Sequence, residues 1–120
     1  MKVSKRRRGN PNLLTDSHRR APKQEAELAK RTGGRVTAGS GCGNEKGDVR
    51  VRGVLRIEAK TTKNKSFSVT RDMVQSICNT AVAYGELPAL IVEFLNAAGK
   101  PELEIAIVPT YVLNSIISNE

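Results

Sequence analysis

Residues 47–62 constrain the fold of this chain more than any other segment, because polar and apolar side chains alternate along them on both sides of Gly53. Alternation with a period of two predicts β-strands that are buried on one face only. We therefore expect one strand over residues 47–52 and a second over residues 54–62. The glycine between them favours a tight turn, so the segment predicts an antiparallel hairpin.

A hairpin that turns at Gly53 aligns the apolar residues of its two strands. Val51 lies opposite Leu55, and Val49 lies opposite Ile57, which allows one face of the hairpin to pack against a core. The other face of the second strand carries charged side chains. We therefore expect any chemistry of this segment on the charged face.

Two carboxylates lie opposite each other in the same register. Asp48 faces Glu58 across the strands, with their Cβ atoms about 5 Å apart. Like charges at this distance repel, whereas a divalent cation such as Mg²⁺ binds oxygen ligands of this kind. Lys60 shares the face of Glu58 and could hold an attacking water or stabilise charge on a phosphate. The pattern predicts a Mg²⁺ site for phosphoryl chemistry, with Asp48, Glu58 and Lys60 as catalytic residues.

A structural alternative accounts for the same residues without a metal. Exposed strands often carry Glu and Lys two positions apart, and Glu58 could form an ion pair with Lys60 or with Arg50. The spacing of these charged residues is compatible with both interpretations.

The segments next to the hairpin predict further helices and strands. Before it, we expect a helix from about Pro22 to Thr32, a short strand over residues 35–38 and a glycine-rich loop over residues 39–44. After it, another strand is expected to begin near Phe67.

The C-terminal half predicts two helices and two strands. Thr70 can cap a helix of about 14 residues, residues 88–95 suit a strand covered on both faces, and residues 103–108 predict another strand. Pro109 then begins a last helix. The expected buried residues of the first of these helices are Met73, Val74, Ile77, Cys78, Ala81 and Val82, and those on one side of the last are Val112, Leu113, Ile116 and Ile117. The order α-β-β-β-(β)-α-β-β-α implies a single α/β domain with a mixed β-sheet flanked by helices.

Basic residues are concentrated at the N-terminus. Residues 1–23 contain eight Lys and Arg and one acidic residue, so they account for most of the net charge of +8. Such a segment is typical of chains that bind a polyanion such as nucleic acid, although a solvated tail, a localisation signal or ribosome association would have the same composition. We expect residues 1–20 to be a flexible basic arm and residues 21–120 to be the folded domain.

The two cysteines, Cys42 and Cys78, match no spacing known for metal ligands or redox pairs. Free thiols are typical of a reducing compartment. No apolar run is long enough to span a membrane or to follow the basic segment as a secretory signal. We therefore expect a cytoplasmic protein.

Several segments, taken in order, are similar to one known family. They are Glu25-Ala26-Glu27-Leu28, Ala38-Gly39-Ser40, Gly47-Asp48-Val49, Ile57-Glu58-Ala59-Lys60, Thr70-Arg71-Asp72-Met73, and the segment from Gly85 to Asn96. Together, over about residues 23–108, the chain resembles the archaeal-type Holliday junction resolvases, a branch of the PD-(D/E)xK nuclease superfamily. Three features depart from the family pattern: a first helix about one turn shorter, a longer and more glycine-rich loop before Asp48, and the basic arm.

The resemblance implies a restriction-endonuclease-like core and a role for each matching residue. Mg²⁺, with Mn²⁺ as a substitute, would be held by Asp48 and Glu58, with Glu25 as a further ligand. Lys60 would assist the attacking water, and Ser40 would act from a loop near the scissile phosphate. Glu25 is preferred to Glu27 because it shares a helix face with Leu28. The alternatives are a favourable charge in the first helical turn for Glu25 and a plain turn residue for Ser40.

The resemblance further implies a homodimer, because a four-way junction has approximate two-fold symmetry. The terminal helix could supply its contact surface or could cover its own core. The expected DNA contacts are Arg6, Arg7, Arg8, Arg19, Arg20, Lys63, Lys65 and Arg71. The alternative is that these residues are solvated surface charges with no DNA contact.

The predicted function is therefore a Holliday junction resolvase, which cuts four-way DNA junctions by Mg²⁺-dependent phosphodiester hydrolysis. One alternative is a PD-(D/E)xK nuclease with another DNA target, of the nicking, repair or restriction type. The other is a basic nucleic-acid-binding protein without catalytic activity.

Overall fold

The computed structural model describes residues 15–37 and 48–118 of the 120-residue chain. These residues form one α/β domain, which confirms the predicted class of a mixed sheet flanked by helices. No helix in the described ranges has both the length and the apolar character needed to cross a bilayer. The elements are α1 Asp16–Thr32, β1 Arg35–Val36, β2 Val49–Val51, β3 Leu55–Thr62, α2 Arg71–Ala83, β4 Leu87–Leu95, β5 Pro101–Ile107 and α3 Thr110–Ser118.

The five strands form a single sheet in the order β1-β2-β3-β4-β5. Strands β3 and β4 are parallel, with α2 as the crossover connection that parallel strands require, and the other neighbours are antiparallel. The predicted hairpin register is confirmed, because Val49 pairs with Ile57 and Val51 pairs with Leu55. Gly53 has a φ of 75°, a left-handed conformation that favours glycine, in the turn between the strands.

The core lies between the sheet and the helices. Leu28 and Ala29 of α1 pack with Val49, Ile57 and Ala89 on one face of the sheet. On α2, the buried residues are Ile77 and Ala81, and β4 is buried on both faces as its continuous apolar sequence predicts.

The first helix begins earlier than the sequence predicts. It starts at Asp16 rather than near Pro22, because the Thr15 hydroxyl caps it by accepting a hydrogen bond from the N–H of His18 at 3.1 Å. Residues 16–20 therefore belong to the folded domain, and the expected boundary of the basic arm at residue 20 is wrong. Helix α1 is therefore 17 residues long. It ends at Gly33, as predicted.

Three further expectations are corrected. No strand begins near Phe67, because residues 63–70 connect β3 to α2 without regular structure. Val82 is exposed rather than buried, since the buried side of α2 is centred on Ile77 and Ala81. In α3, Val112 is buried whereas the other three predicted apolar residues are exposed, so most of the helix does not cover its own core.

A buried carboxylate joins the hairpin to the end of α2. Glu86 accepts hydrogen bonds from Arg50 Nε at 2.6 Å, Arg56 Nε at 2.9 Å and the N–H of Gly53 at 2.9 Å. Both guanidinium groups also stack on the ring of Tyr84. Because Arg50 and Arg56 are cross-strand partners, their like charges would repel without this carboxylate.

Replacing Glu86 with Gln should lower the free energy of unfolding by about 3 kcal/mol or more, because two guanidinium groups with little solvent exposure lose a buried counter-charge. Urea unfolding at neutral pH measures this loss. Glu104→Gln is the control, since its ion pair with Arg31 lies near the surface and should contribute about 1 kcal/mol or less. Similar losses for the two variants would contradict a special role for Glu86.

The same carboxylate makes stability depend on pH. Burial raises the pKa of Glu86, but hydrogen bonds from Arg50, the Gly53 N–H and Arg56 outweigh it, and the pKa is lowered overall. Its contribution is therefore complete above the unfolded pKa of about 4.3 and is lost as the pH falls through the lower folded value. Over that acidic range, the stability of the wild type should fall more steeply than that of Glu86→Gln.

Candidate active site

Strand β3 extends well past its pairing with β2, and two of the predicted catalytic residues, Glu58 and Lys60, lie on this extension. Pairing between β2 and β3 covers only Leu55 to Ile57, whereas β3 continues to Thr62 alongside β4. The segment 58–62 thus has a strand neighbour on the β4 side, while its opposite edge faces Asp48, the residue that precedes β2. The candidate site is therefore at the point where the described pairing between β2 and β3 ends.

Asp48 is buried, with 8 % of its surface exposed, and it is held by two contacts with β3. Its N–H donates to the carbonyl of Ile57 at 2.7 Å, and its Oδ2 accepts from the N–H of Ala59 at 2.8 Å. Continuation of the ladder would instead have aligned Asp48 with Glu58. The expected pairing of Asp48 with Glu58 is therefore modified. The Asp48 carboxylate, instead of a backbone carbonyl of β2, accepts the hydrogen bond from the N–H of Ala59.

Glu58 and Lys60 lie on the same face of β3, as the alternation predicts. Lys60 Nζ is 3.4 Å from Glu58 Oε2, and both side chains are partly exposed. This is the ion pair that the metal-free interpretation expects. It is long and solvent-accessible, so it contributes little to stability, and Lys60 can move without a large loss of free energy.

Helix α1 brings Glu25 close to these carboxylates. Burial raises the pKa of Glu25, and the negative charges of Asp48 and Glu58 raise it further. Glu27, in contrast, is bonded to Arg20 at 3.1 Å. The geometry thus favours Glu25 over Glu27 as the helix carboxylate of this site.

The donor set suits a hard divalent cation in its chemistry, since all three side chains supply carboxylate oxygens. Gln24, the residue before Glu25, donates to the Lys60 carbonyl, so this part of α1 lies beside the strand that carries Glu58. Within residues 15–37 and 48–118, however, no three His, Cys, Asp or Glu side chains are gathered closely enough to form a complete metal-binding group. The described carboxylates would therefore supply part of a coordination shell.

Gln24 is a residue of this region that the pattern analysis missed. Its side chain is buried against β3, where Nε2 donates to the carbonyl of Lys60 at 2.8 Å. The available signal was its position on α1 four residues before Leu28, on the core-facing side of the helix. Its Oε1 is also buried and has no hydrogen-bond partner among the described residues. A hydrogen bond contributes about 1 kcal/mol net, whereas a buried unpaired acceptor costs about 1–3 kcal/mol.

The expectation that Arg20 contacts DNA is corrected. Its side chain is only 12 % exposed, and it binds both oxygens of the buried Glu93 on β4, with Nε 2.7 Å from Oε1. It also pairs with Glu27. Because these carboxylates already engage the guanidinium group, Arg20 fixes α1 to the sheet instead of presenting a charge to solvent.

The other predicted DNA contacts differ in their surroundings. Arg19 and Lys63 are exposed and share the Asp16 carboxylate, with Lys63 Nζ at 2.9 Å from it. Lys65 and Arg71 are also exposed, and Arg71 is the first residue of α2. Arg6, Arg7, Arg8 and Ser40 lie outside the described residues.

Comparison of the chain with protein-family models, with curated proteins and with solved structures finds no match. Function is therefore inferred from the geometry of this site and from the residues that form it. Asp48 accepts from the N–H of Ala59, next to Glu58 on β3. The contact of Gln24 with Lys60 brings α1, and with it Glu25, to the same strand.

Asp48→Asn should lower the pKa of Glu25, because one of the two negative charges that oppose its ionisation is removed. The pKa should stay above the ordinary value for Glu, since burial remains. Carboxyl ¹³C NMR titration measures the change. Asp72→Asn, an exposed residue in the first turn of α2, is the control and should leave it unchanged. A Glu25 pKa that does not respond to Asp48→Asn would contradict the proximity of the two groups.

Proposed function

We propose that this chain is a metal-dependent endodeoxyribonuclease of the PD-(D/E)xK type. The observation that carries the proposal is the set of contacts at residues 58–60 of β3. Asp48 accepts from the N–H of Ala59, and Lys60 is paired with Glu58. Helix α1, which carries Glu25, contacts the same segment through the preceding residue, Gln24. Carboxylates from separate elements, with a lysine beside them, are suited to binding a divalent cation and a phosphate together.

Each residue has a distinct part in the proposed reaction. Asp48, Glu58 and Glu25 would hold Mg²⁺ or Mn²⁺, which when bound polarises a phosphoryl oxygen and lowers the pKa of a coordinated water. The N–H of Ala59 keeps the Asp48 carboxylate directed along β3. Lys60 is free to exchange its weak ion pair with Glu58 for a contact with the attacking water or the phosphate.

The proposed substrate is branched DNA, specifically a four-way junction. Support comes from residues 70–96, which resemble the corresponding segment of the junction resolvases. This segment contains none of the proposed catalytic groups, so a shared catalytic requirement does not by itself explain the resemblance. Lys65 follows β3, and Arg71 is the first residue of α2. Both are exposed and would contact the DNA backbone without reading bases. The basic residues among 1–14 would add phosphate contacts, and the cytoplasm is the proposed compartment.

A second copy of the chain is the proposed protein partner. Two consecutive elements carry exposed apolar side chains: Leu103 and Ile105 on β5, and Leu113, Ile116 and Ile117 on α3. Exposed apolar side chains concentrated in this way are typical of interaction surfaces. A two-fold dimer would present two sites to the two opposed strands of a junction.

The cleavage test compares labelled four-way junctions with linear duplexes of the same sequence, each with Mg²⁺ or with EDTA. The wild type should cut the junction symmetrically with Mg²⁺ and leave the duplex intact. Asp48→Asn and Glu58→Gln should reduce the rate by about 100-fold or more, because each removes charge from the cation site. Asp72→Asn, which alters an exposed carboxylate on α2, should cut like the wild type.

The remaining outcomes identify the alternatives. Equal cutting of junction and duplex would replace the junction with another DNA target. Absence of cutting, together with absence of Mn²⁺ binding in calorimetry, would leave a nucleic-acid-binding protein without catalytic activity.

Ile116→Glu should shift the protein from dimer to monomer, because it introduces a charge into the proposed apolar interface. Sedimentation equilibrium measures the change in mass. Val54→Glu is the matched control: Ile116 and Val54 are both 57 % exposed, but Val54 is in the turn of the hairpin. A wild-type protein that is monomeric at all concentrations would refute the dimer.

A further inference from the structure

Gln24 forms an unusual contact at the rear of the candidate active site. Only 1 % of the residue is exposed, and its amide Nε2 donates to the main-chain carbonyl of Lys60 at 2.8 Å. Its Oε1 is buried and has no partner among the described residues. One half of the amide group thus has a defined contact, while the other half carries a desolvation cost.

The balance of these effects argues against a role in stability alone. A buried acceptor without a partner costs more than the typical gain from one neutral hydrogen bond. Four residues later, Leu28 occupies the same side of α1 with an apolar side chain in the core. A methionine would match the length of Gln24 without a buried unpaired acceptor, so packing does not account for an amide at this position.

Among the described residues, no strand pairs with β3 beyond Ile57 on the side away from β4. Strand β2 begins at Val49, opposite Ile57. Beyond this pair, Asp48 accepts a hydrogen bond from the N–H of Ala59 on β3. Gln24 contacts the next residue, Lys60, from α1. The helix that provides Gln24 also carries Glu25 as its following residue, so one short segment of α1 contacts the strand and supplies a carboxylate.

We propose that Gln24 is a positioning residue, which sets the Glu58–Lys60 segment relative to Glu25 through its hydrogen bond to the Lys60 carbonyl. The proposal rests on the proposed function, because it assigns to Gln24 the alignment of groups that hold the cation. Gln24 itself contacts neither DNA nor the reacting atoms. Residues that orient metal ligands from outside the coordination shell typically change metal affinity about 10–100-fold when replaced.

The test uses Gln24→Met, with Gln75→Met as the matched control. Gln75 also donates through Nε2, to Asn79 Oδ1 at 2.9 Å, but it is exposed on α2. Gln24→Met should leave the midpoint of thermal unfolding unchanged or higher, and should change the carbonyl ¹³C shift of Lys60 and speed amide exchange in residues 58–62. It should weaken Mn²⁺ binding about tenfold and lower kcat on DNA more than it changes KM. Gln75→Met should change none of these quantities.

Each outcome decides the proposal. A drop of about 10 °C or more in the unfolding midpoint of Gln24→Met would show a stabilising core residue and overturn the positioning role. An unchanged Lys60 carbonyl shift, or unchanged Mn²⁺ affinity in a folded variant, would also overturn it. A wild type that binds no Mn²⁺ and cuts no DNA would instead refute the proposed function, and with it the assignment of Gln24 to a cation site. In that case, the Lys60 shift and the amide exchange would still decide whether Gln24 positions β3.

Discussion

The antiparallel register between β2 and β3 is the constraint on which the rest of the structure depends. With Val49 opposite Ile57, one face of the hairpin is apolar and packs beneath α1. A shift of one residue would turn those side chains away from the core and bring charged ones into it. The same register places Asp48 directly before the first residue of β2, beside the edge of β3. The packing of the core and the location of the candidate site therefore have a common cause.

Helix α1 is fixed to the sheet by an ion pair, a hydrogen bond and an apolar contact, in that order along its length. Arg20 binds the buried Glu93, Gln24 binds the Lys60 carbonyl, and Leu28 enters the apolar core. These residues are four apart and lie on one side of the helix. Glu25 is close to this side, so the contacts that fix the helix also hold Glu25 near the strand carboxylates. A surface helix without polar contacts would not define that separation as closely.

The candidate site lowers the cost of gathering carboxylates in the absence of a cation. Asp48 accepts an N–H from Ala59, and Glu58 is paired with Lys60. Glu25 responds with a raised pKa, which favours its neutral form. Each effect reduces repulsion among the negative charges, and each can be reversed by a divalent cation. The ion pair between Glu58 and Lys60 is thus compatible with the proposed nuclease as well as with a metal-free site.

Local sequence patterns predicted most of the elements and the hairpin register. Alternation around Gly53 determined the hairpin, Thr70 the start of α2, and the continuous apolar run the central strand β4, because each signal is contained within a few neighbouring residues. The start of α1 was missed, although the Thr15 cap that determines it is local. The sequence also indicated Asp48, Glu58 and Lys60 as a group, since strand periodicity alone relates their side chains.

Only the tertiary structure decided which distant side chains meet. Arg20 binds Glu93, 73 residues further along the chain, and Glu86 joins Arg50 to Arg56. The contact of Gln24 with Lys60 and the exposure of α3 were decided in the same way. Periodicity specifies the face on which a side chain lies, whereas a polar contact between elements depends on how those elements pack. The sequence by itself therefore determined the strand that carries the candidate site, and packing determined which residues of α1 contact the sheet beside it.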